Sequence, residues 1–312
     1  MLASLGAELL KLRKRVSTWV LGLIWLTVII LLNYALIYVL LSNTPPPTFP
    51  AGTPKAQQEQ LQEQQEQYEE QQLAFLYPEK VVPNLTPGFP NLGAPIVLIL
   101  GALAVGSEYS WATFKTVLTQ RPSRLAVFFG KLLALGVVLA LLVVLIFVAG
   151  AASGYAVAGL SGGPLNGPPA GELIRALGAG WLILAVWATL GALLATLLRS
   201  TALAVGIGLI YSLGLESIIT NLPVQNKTFT DAIEFLPGQN STFLAGSFSE
   251  QGLASPQPPV EATQATLVLL AYTAAFVLLA ALVFRRRDVT LGRCGRPGTF
   301  LCVIPAKAGI HE

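Results

Sequence analysis

Apolar and polar positions alternate along this chain in long blocks. Six apolar stretches, at about residues 19–41, 90–107, 126–149, 173–198, 201–219 and 265–284, are separated by polar connections. A helix needs roughly 20 apolar residues to cross a hydrocarbon core about 30 Å thick, and each stretch meets or approaches that length. The stretches are rich in Leu, Ala, Val and Gly and show no strand-like two-residue alternation, so they predict helices rather than a transmembrane barrel. The expected fold is an all-α polytopic membrane bundle, its six spans lying within residues 18–284.

Residues 1–17 intersperse Leu2, Leu5, Leu9, Leu10 and Leu12 with Lys and Arg. That pattern predicts an amphipathic interfacial helix leading into the first span, although an ordinary basic flank has the same composition. The connection 42–89 opens with "SNTPPPTFPAGTP", through which no helix can continue. In the "AQQEQLQEQQEQYEEQQLAFLY" that follows, Leu61, Tyr68 and Phe75 recur every seven residues. One thin apolar stripe with no companion positions predicts a solvated helix resting weakly on the bundle, not a coiled coil. Residues 220–264 scatter Leu, Phe and Ile between polar turns, as in a segment lying on the membrane or dipping into it. The tail 285–312 lacks periodicity and is expected to hold little fixed structure. Its "VIPAKAGI" resembles translated dispersed-repeat sequence.

Composition agrees with the pattern. Hydrophobic residues make up 54% of the 312 and charged residues 11%, with a mean hydropathy of +0.65, whereas soluble domains carry about 25% charged residues. The N-terminal "KLRKR" before a long apolar run invites comparison with a signal peptide, but the run exceeds a secretory core and no small-residue cleavage site follows. It is expected to remain as the first span. Bases cluster at Lys11, Arg13, Lys14 and Arg15, at Lys115, Arg121, Arg124 and Lys131, at Arg199, and at Arg285, Arg286 and Arg287. The positive-inside rule then places both termini and residues 107–131 in the cytoplasm, and 42–89 and 220–264 outside. The net charge of +3 is spread over short juxtamembrane loops, which suits lipid headgroups as partners and gives no nucleic-acid signal.

Candidate chemistry is sparse. "GLSGG" at 159–163 fits G-x-S-x-G formally, but Ser161 needs a neighbouring base, and the sole histidine, His311, falls on the opposite side of the membrane in this topology. A Gly-rich turn is the simpler reading. There is no phosphate-binding G-x-x-x-x-G-K-[ST] loop. Cys294 and Cys302 lie in the tail without metal-ligand spacing. No catalytic, cofactor-binding or metal-binding set is therefore expected in this chain. Asn84, Asn226 and Asn240 begin glycosylation sequons in the outside segments. Glu216 stands near the outer end of the fifth span, where it either marks a substrate pathway or snorkels to the interface.

The connection between spans two and three carries the most information. Read as a helix, residues 108–120 put Trp111, Phe114, Val117 and Leu118 on one side and Lys115 and Thr116 away from it, an amphipathic helix at the inner face. Pro122 ends it, and Arg124 and Lys131 anchor the next span. The wording "GSEYSWATFKTVLTQRPSRLAVFFGKLLAL" resembles the signature of permease subunits of type-2 ATP-binding-cassette (ABC) exporters. Glu108, Thr113, Leu118, Thr119, Pro122, Ser123, Arg124, Gly130 and Lys131 match in order. Ala112 replaces a common glycine, and Gln120-Arg121 lengthen the spacer before the proline. "FLPGQN" and "FRRRD" add weaker agreement further along.

The resemblance implies a plasma (inner) membrane protein, bacterial or archaeal. It would pair with a second permease, identical or related, and with ABC ATPase subunits that bind the ATP and Mg. Residues 108–120 would be the cytoplasmic coupling helix seated on the ATPase, with Glu108, Trp111, Thr113, Phe114, Lys115, Pro122, Arg124 and Lys131 as the residues of ATPase coupling. A membrane scaffold or assembly protein that transports nothing is the main alternative, and a channel or secondary carrier is the third.

Overall fold

The computed structural model describes residues 2–45, 49, 54–110, 124–220, 222, 231–249 and 260–286. In chain order its helices are α1 (Leu2–Lys14), α2 (Val16–Ser42), α3 (Lys55–Phe75), α4 (Val81–Leu85), α5 (Phe89–Ser107), α6 (Leu125–Ser161), α7 (Ala170–Leu198), α8 (Thr201–Thr220), α9 (Pro237–Gly246) and α10 (Ala262–Arg286). Six of these, α2, α5, α6, α7, α8 and α10, are long and apolar enough to cross a membrane, and no strand occurs among the described residues. Helices of this kind satisfy their backbone groups internally, as a hydrocarbon solvent demands.

α7 is the hub, packing on α5 most extensively and also on α6, α8 and α10. The α5–α7 contact runs backbone against backbone. A Cβ on Gly101 would run into the Ala188 carbonyl, and one on Gly191 into the Leu98 carbonyl. Small residues suit such a contact because helices in lipid associate through close packing, without the release of water that drives soluble cores. Next to this seam Trp25 of α2 meets Phe89 edge-on at 5.5 Å, and Phe89 stacks on Phe147 of α6 at 5.7 Å.

The outer surface inverts the pattern of a soluble bundle. The most apolar windows of α2 and α8 are only 17% and 18% buried, against 72% for α7. Their exposed positions are occupied by Leu23, Ile24, Leu31, Ile207, Ile210 and Leu213. An apolar surface of this extent is stable against lipid and costly against water.

Three π-helical stretches interrupt the spans among the described residues, at Ile29–Ala35, Phe89–Gly93 and Ile210–Leu215. In a π-turn the residue five positions on lies one turn above, whereas in an α-helix it points well away. Ile29 and Tyr34 are both buried for this reason, as are Phe89 and Ala94.

The third span runs further than the apolar pattern predicts. Its helix extends from Arg124 past residue 149 to Ser161, because no proline intervenes and Gly162, at φ +72°, is the first residue to turn the chain back. "GLSGG" is thus a helix end, in which Ser161 Oγ donates to the Val157 carbonyl at 2.9 Å and lies 3.3 Å from the Tyr77 hydroxyl. α3 is solvated as expected, with Leu61 and Tyr68 exposed. The residues after it turn inward instead, burying Leu76, Val81, Val82 and Leu85.

The sequons fare poorly. Asn84 is buried and bonded to Asn33 and to the Phe75 carbonyl, and Asn240 is fully buried, so neither side chain is presented for modification. Asn226 and the tail beyond residue 286 lie outside the described residues.

The α5–α7 seam predicts a graded response to added carbons. Gly101→Ala and Gly191→Ala should each lower stability by about 1–3 kcal/mol, the usual cost of overpacking. Gly206→Ala, where a Cβ meets nothing within 4 Å, should not. Thermal unfolding of the purified variants in detergent checks the contrast.

Candidate functional site

Helix α1 lies across one end of the bundle, chiefly against α6. One side is apolar enough to bury Leu12, while Leu10 stays exposed. The same buried side carries Glu8, whose Oε2 accepts from Lys131 Nζ at 2.7 Å and whose Oε1 accepts from Lys11 Nζ at 2.7 Å. Both members of the Glu8–Lys131 pair are withdrawn from solvent, with side chains 7% and 4% exposed. Burial by itself pushes the Glu8 carboxyl up. The facing charge of Lys131, with hydrogen bonds from Lys11 and Lys131, outweighs that and holds it below the ordinary carboxylate value.

A second contact reaches α5. Arg15, just after α1, donates through Nη1 to the Leu103 carbonyl at 2.8 Å and through Nη2 to Ser107 Oγ at 2.7 Å. The guanidinium fork suits this double contact near a helix C-terminus, where positive charge is favoured. α1 therefore grips the end of α5 through Arg15 and the beginning of α6 through Glu8. These are the two flanks of residues 108–124, and α1 bridges them as a clamp.

Of the coupling residues implied by the resemblance, Lys131 is brought into this clamp, where it joins Lys11 and Arg15 of the N-terminal basic cluster. Trp111, Thr113, Phe114, Lys115 and Pro122 lie outside the described residues. Glu108 falls in the helical continuation of α5 as far as Ser110, and Arg124 in the first turn of the α6 helix; their side chains are outside the description. The periodicity of the connection gave no sign of Glu8, Arg15 or Ser107. A signal was available for one of them: Glu8 is the sole acid before Glu59, and a lone acid within a basic amphipathic helix calls for a partner.

Glu216 sits at the opposite end of the bundle and does not snorkel. It is 5% exposed, and its Oε1 accepts from the backbone N–H of Gln239 in the first turn of α9 at 2.9 Å. The π-turn at Ile210–Leu215 immediately precedes it, bringing Tyr211, five residues back, to its side. Tyr211 and, from α10, Tyr272 lie within electrostatic reach of the carboxylate. No cluster of three or more metal-ligating side chains occurs among the described residues.

α5, α6, α8 and α10 gathered on α7, with α2 beside them and a charged helix strapped across one end, define an all-helical bundle in which six helices are long and apolar enough to cross a membrane. Residues 91–290 match the family described as "Protein of unknown function (DUF2705)", and the chain belongs to that family. No curated protein matches the chain. The family match begins within α5, so the clamp joins an element outside it, α1, to two spans inside it.

Removing either partner takes away the closest opposite charge of a buried group, a loss worth up to about 3–5 kcal/mol, with Lys11 still facing Glu8 when Lys131 is replaced. Lys131→Met should accordingly loosen α1, read as faster proteolysis or hydrogen exchange over residues 2–14. The pH dependence has a definite sign: a carboxylate with a lowered native pKa stabilises above its unfolded value and loses that contribution as pH falls through the native one. Protection of α1, taken as exchange corrected for its intrinsic pH dependence, should be flat at neutral pH and fall only in the acid range, with Glu8→Gln abolishing the fall.

Proposed function

We propose that this protein is the permease subunit of an ABC exporter of the type-2 class, forming a substrate route with a second permease. ATP hydrolysis takes place in separate ATPase subunits at the face carrying α1. One observation supports the reading above the others: the segment bearing the exporter-like motif is gripped at both flanks by α1. A coupling element that receives a push from an ATPase must hand that displacement to its spans. Ties from α1 to the end of α5 and the start of α6 make those two spans respond together.

In this reading residues 108–120 seat on the ATPase, and closure of the ATPase pair tilts α5 and α6. The displacement then passes to α7 through the α5–α7 seam, since a backbone contact with no slack transmits movement. The positive-inside rule favours a cytoplasmic α1 end, and the exporter resemblance goes with a bacterial or archaeal inner membrane. Lipid occupies the exposed faces of α2 and α8 wherever the second permease does not.

Affinity purification of the tagged chain from its native membrane, in mild detergent, should recover a stoichiometric ATPase with vanadate-sensitive activity. Glu108→Ala and Arg124→Ala should lower that activity several-fold while leaving membrane insertion intact. Recovery of the chain with other partners and no ATPase would favour the scaffold reading.

A further inference from the structure

The short helix α9 is held inside the bundle. Trp187 Nε1 donates to Ser241 Oγ at 3.3 Å, and Trp187 lies well within α7, about 26 Å along its axis from Ala170 at 1.5 Å per residue. α9 also packs on α10 and on the start of α5. On the six-span reading a half-helix packed at that level of α7 enters the membrane from one side, where no unpaired backbone group is tolerated.

Its own sequence cannot supply the cap. Leu236 at the N-cap has no side-chain oxygen, and Pro237 at the first helical position has no N–H. The missing acceptor comes from another span: Glu216 of α8 accepts from Gln239 N–H, and the Gly238 amide faces the same carboxylate. Gly238 is the residue that fits, because a Cβ there would come within 2.6 Å of the carboxylate atoms. The negative charge also lies at the positive end of the α9 dipole.

We propose that α9 is a plug in the end of the bundle remote from α1, and that the Glu216 carboxylate is the latch that seats it. Glu216 acts as a positioning residue. While it holds the first turn of α9, the plug stays against Trp187 and α10 and moves with the fifth span; when the contact breaks, α9 is released. The inference stands on the chain alone and needs no ATPase. Absence of an ATPase partner would overturn the transport reading and leave this one intact.

Cysteine accessibility tests it. In a background with Cys294→Ser and Cys302→Ser, Ala245→Cys reports on α9, and Ala134→Cys, buried in α6, reports on the remainder of the bundle. Protein in lipid nanodiscs is treated with a membrane-impermeant maleimide. Labelling at position 245 should be slow with Glu216 present and at least about tenfold faster in Glu216→Ala, the scale of a lost charge-assisted hydrogen bond. Gly238→Ala should act in the same direction. Glu216→Gln should fall between, since its amide oxygen still accepts from Gln239 but carries no charge. Labelling at position 134 should stay slow throughout.

An unchanged rate at 245 in Glu216→Ala with 134 protected overturns the proposal. If Glu216→Ala also exposes 134, the bundle itself has opened and Glu216→Gln decides. A several-fold rise at 245 alone supports the latch, and a rate equal to that of the parent overturns it.

Discussion

An ammonium and a carboxylate, both almost withdrawn from solvent, meet where the N-terminal helix crosses the beginning of the third span. Burying either alone would cost several kcal/mol, and neither is placed there by apolar packing. Glu8 and Lys131 thus fix the position of α1 more sharply than its leucines can, because a charge pair tolerates little displacement and an apolar face can slide. With α1 fixed, Arg15 is delivered to Leu103 and Ser107. The ends of α5 and α6 are then held relative to each other on either side of residues 108–124. The arrangement of this whole end of the bundle follows from that one pair.

The remainder of the bundle is organised by the absence of side chains. Gly101 and Gly191 bring α5 and α7 into backbone contact, and α7 gathers α6, α8 and α10 around that seam. At the far end the logic is polar again. A half-helix with no cap of its own takes its acceptor from Glu216 on a different span, much as α1 takes its counter-ion from α6. Each end carries one buried carboxylate that joins a short helix to a long one, and the middle is apolar and tightly packed.

Much of this architecture is legible in the sequence, and the parts that are not have physical causes. The spans follow from segment-scale hydropathy, and the solvated character of α3 follows from its single apolar stripe. The length of α6 escapes because Ala, Gly, Ser and Tyr at residues 150–161 dilute its hydropathy without breaking the helix. The relation of Tyr211 to Glu216 is hidden by α-helical periodicity, since a π-turn resets which residues share a face. Glu216 itself stands out as an acid in an apolar run, but its partner is a backbone N–H, and backbone groups leave no mark in a sequence. Of the clamp, Lys131 is visible as part of the motif. Its partner is 123 residues away in the chain and could be guessed only from being a solitary acid.

Glu8 and Lys131 hold α1 in place only if they act on each other and do not merely share a buried site. A double-mutant cycle with Glu8→Gln, Lys131→Met and the combined variant, read as unfolding free energy of the purified protein, isolates that interaction. The clamp predicts a coupling energy of at least about 1.5 kcal/mol, the combined variant being less damaged than the sum of the single ones. Additive losses, with no coupling between the two positions, would contradict it.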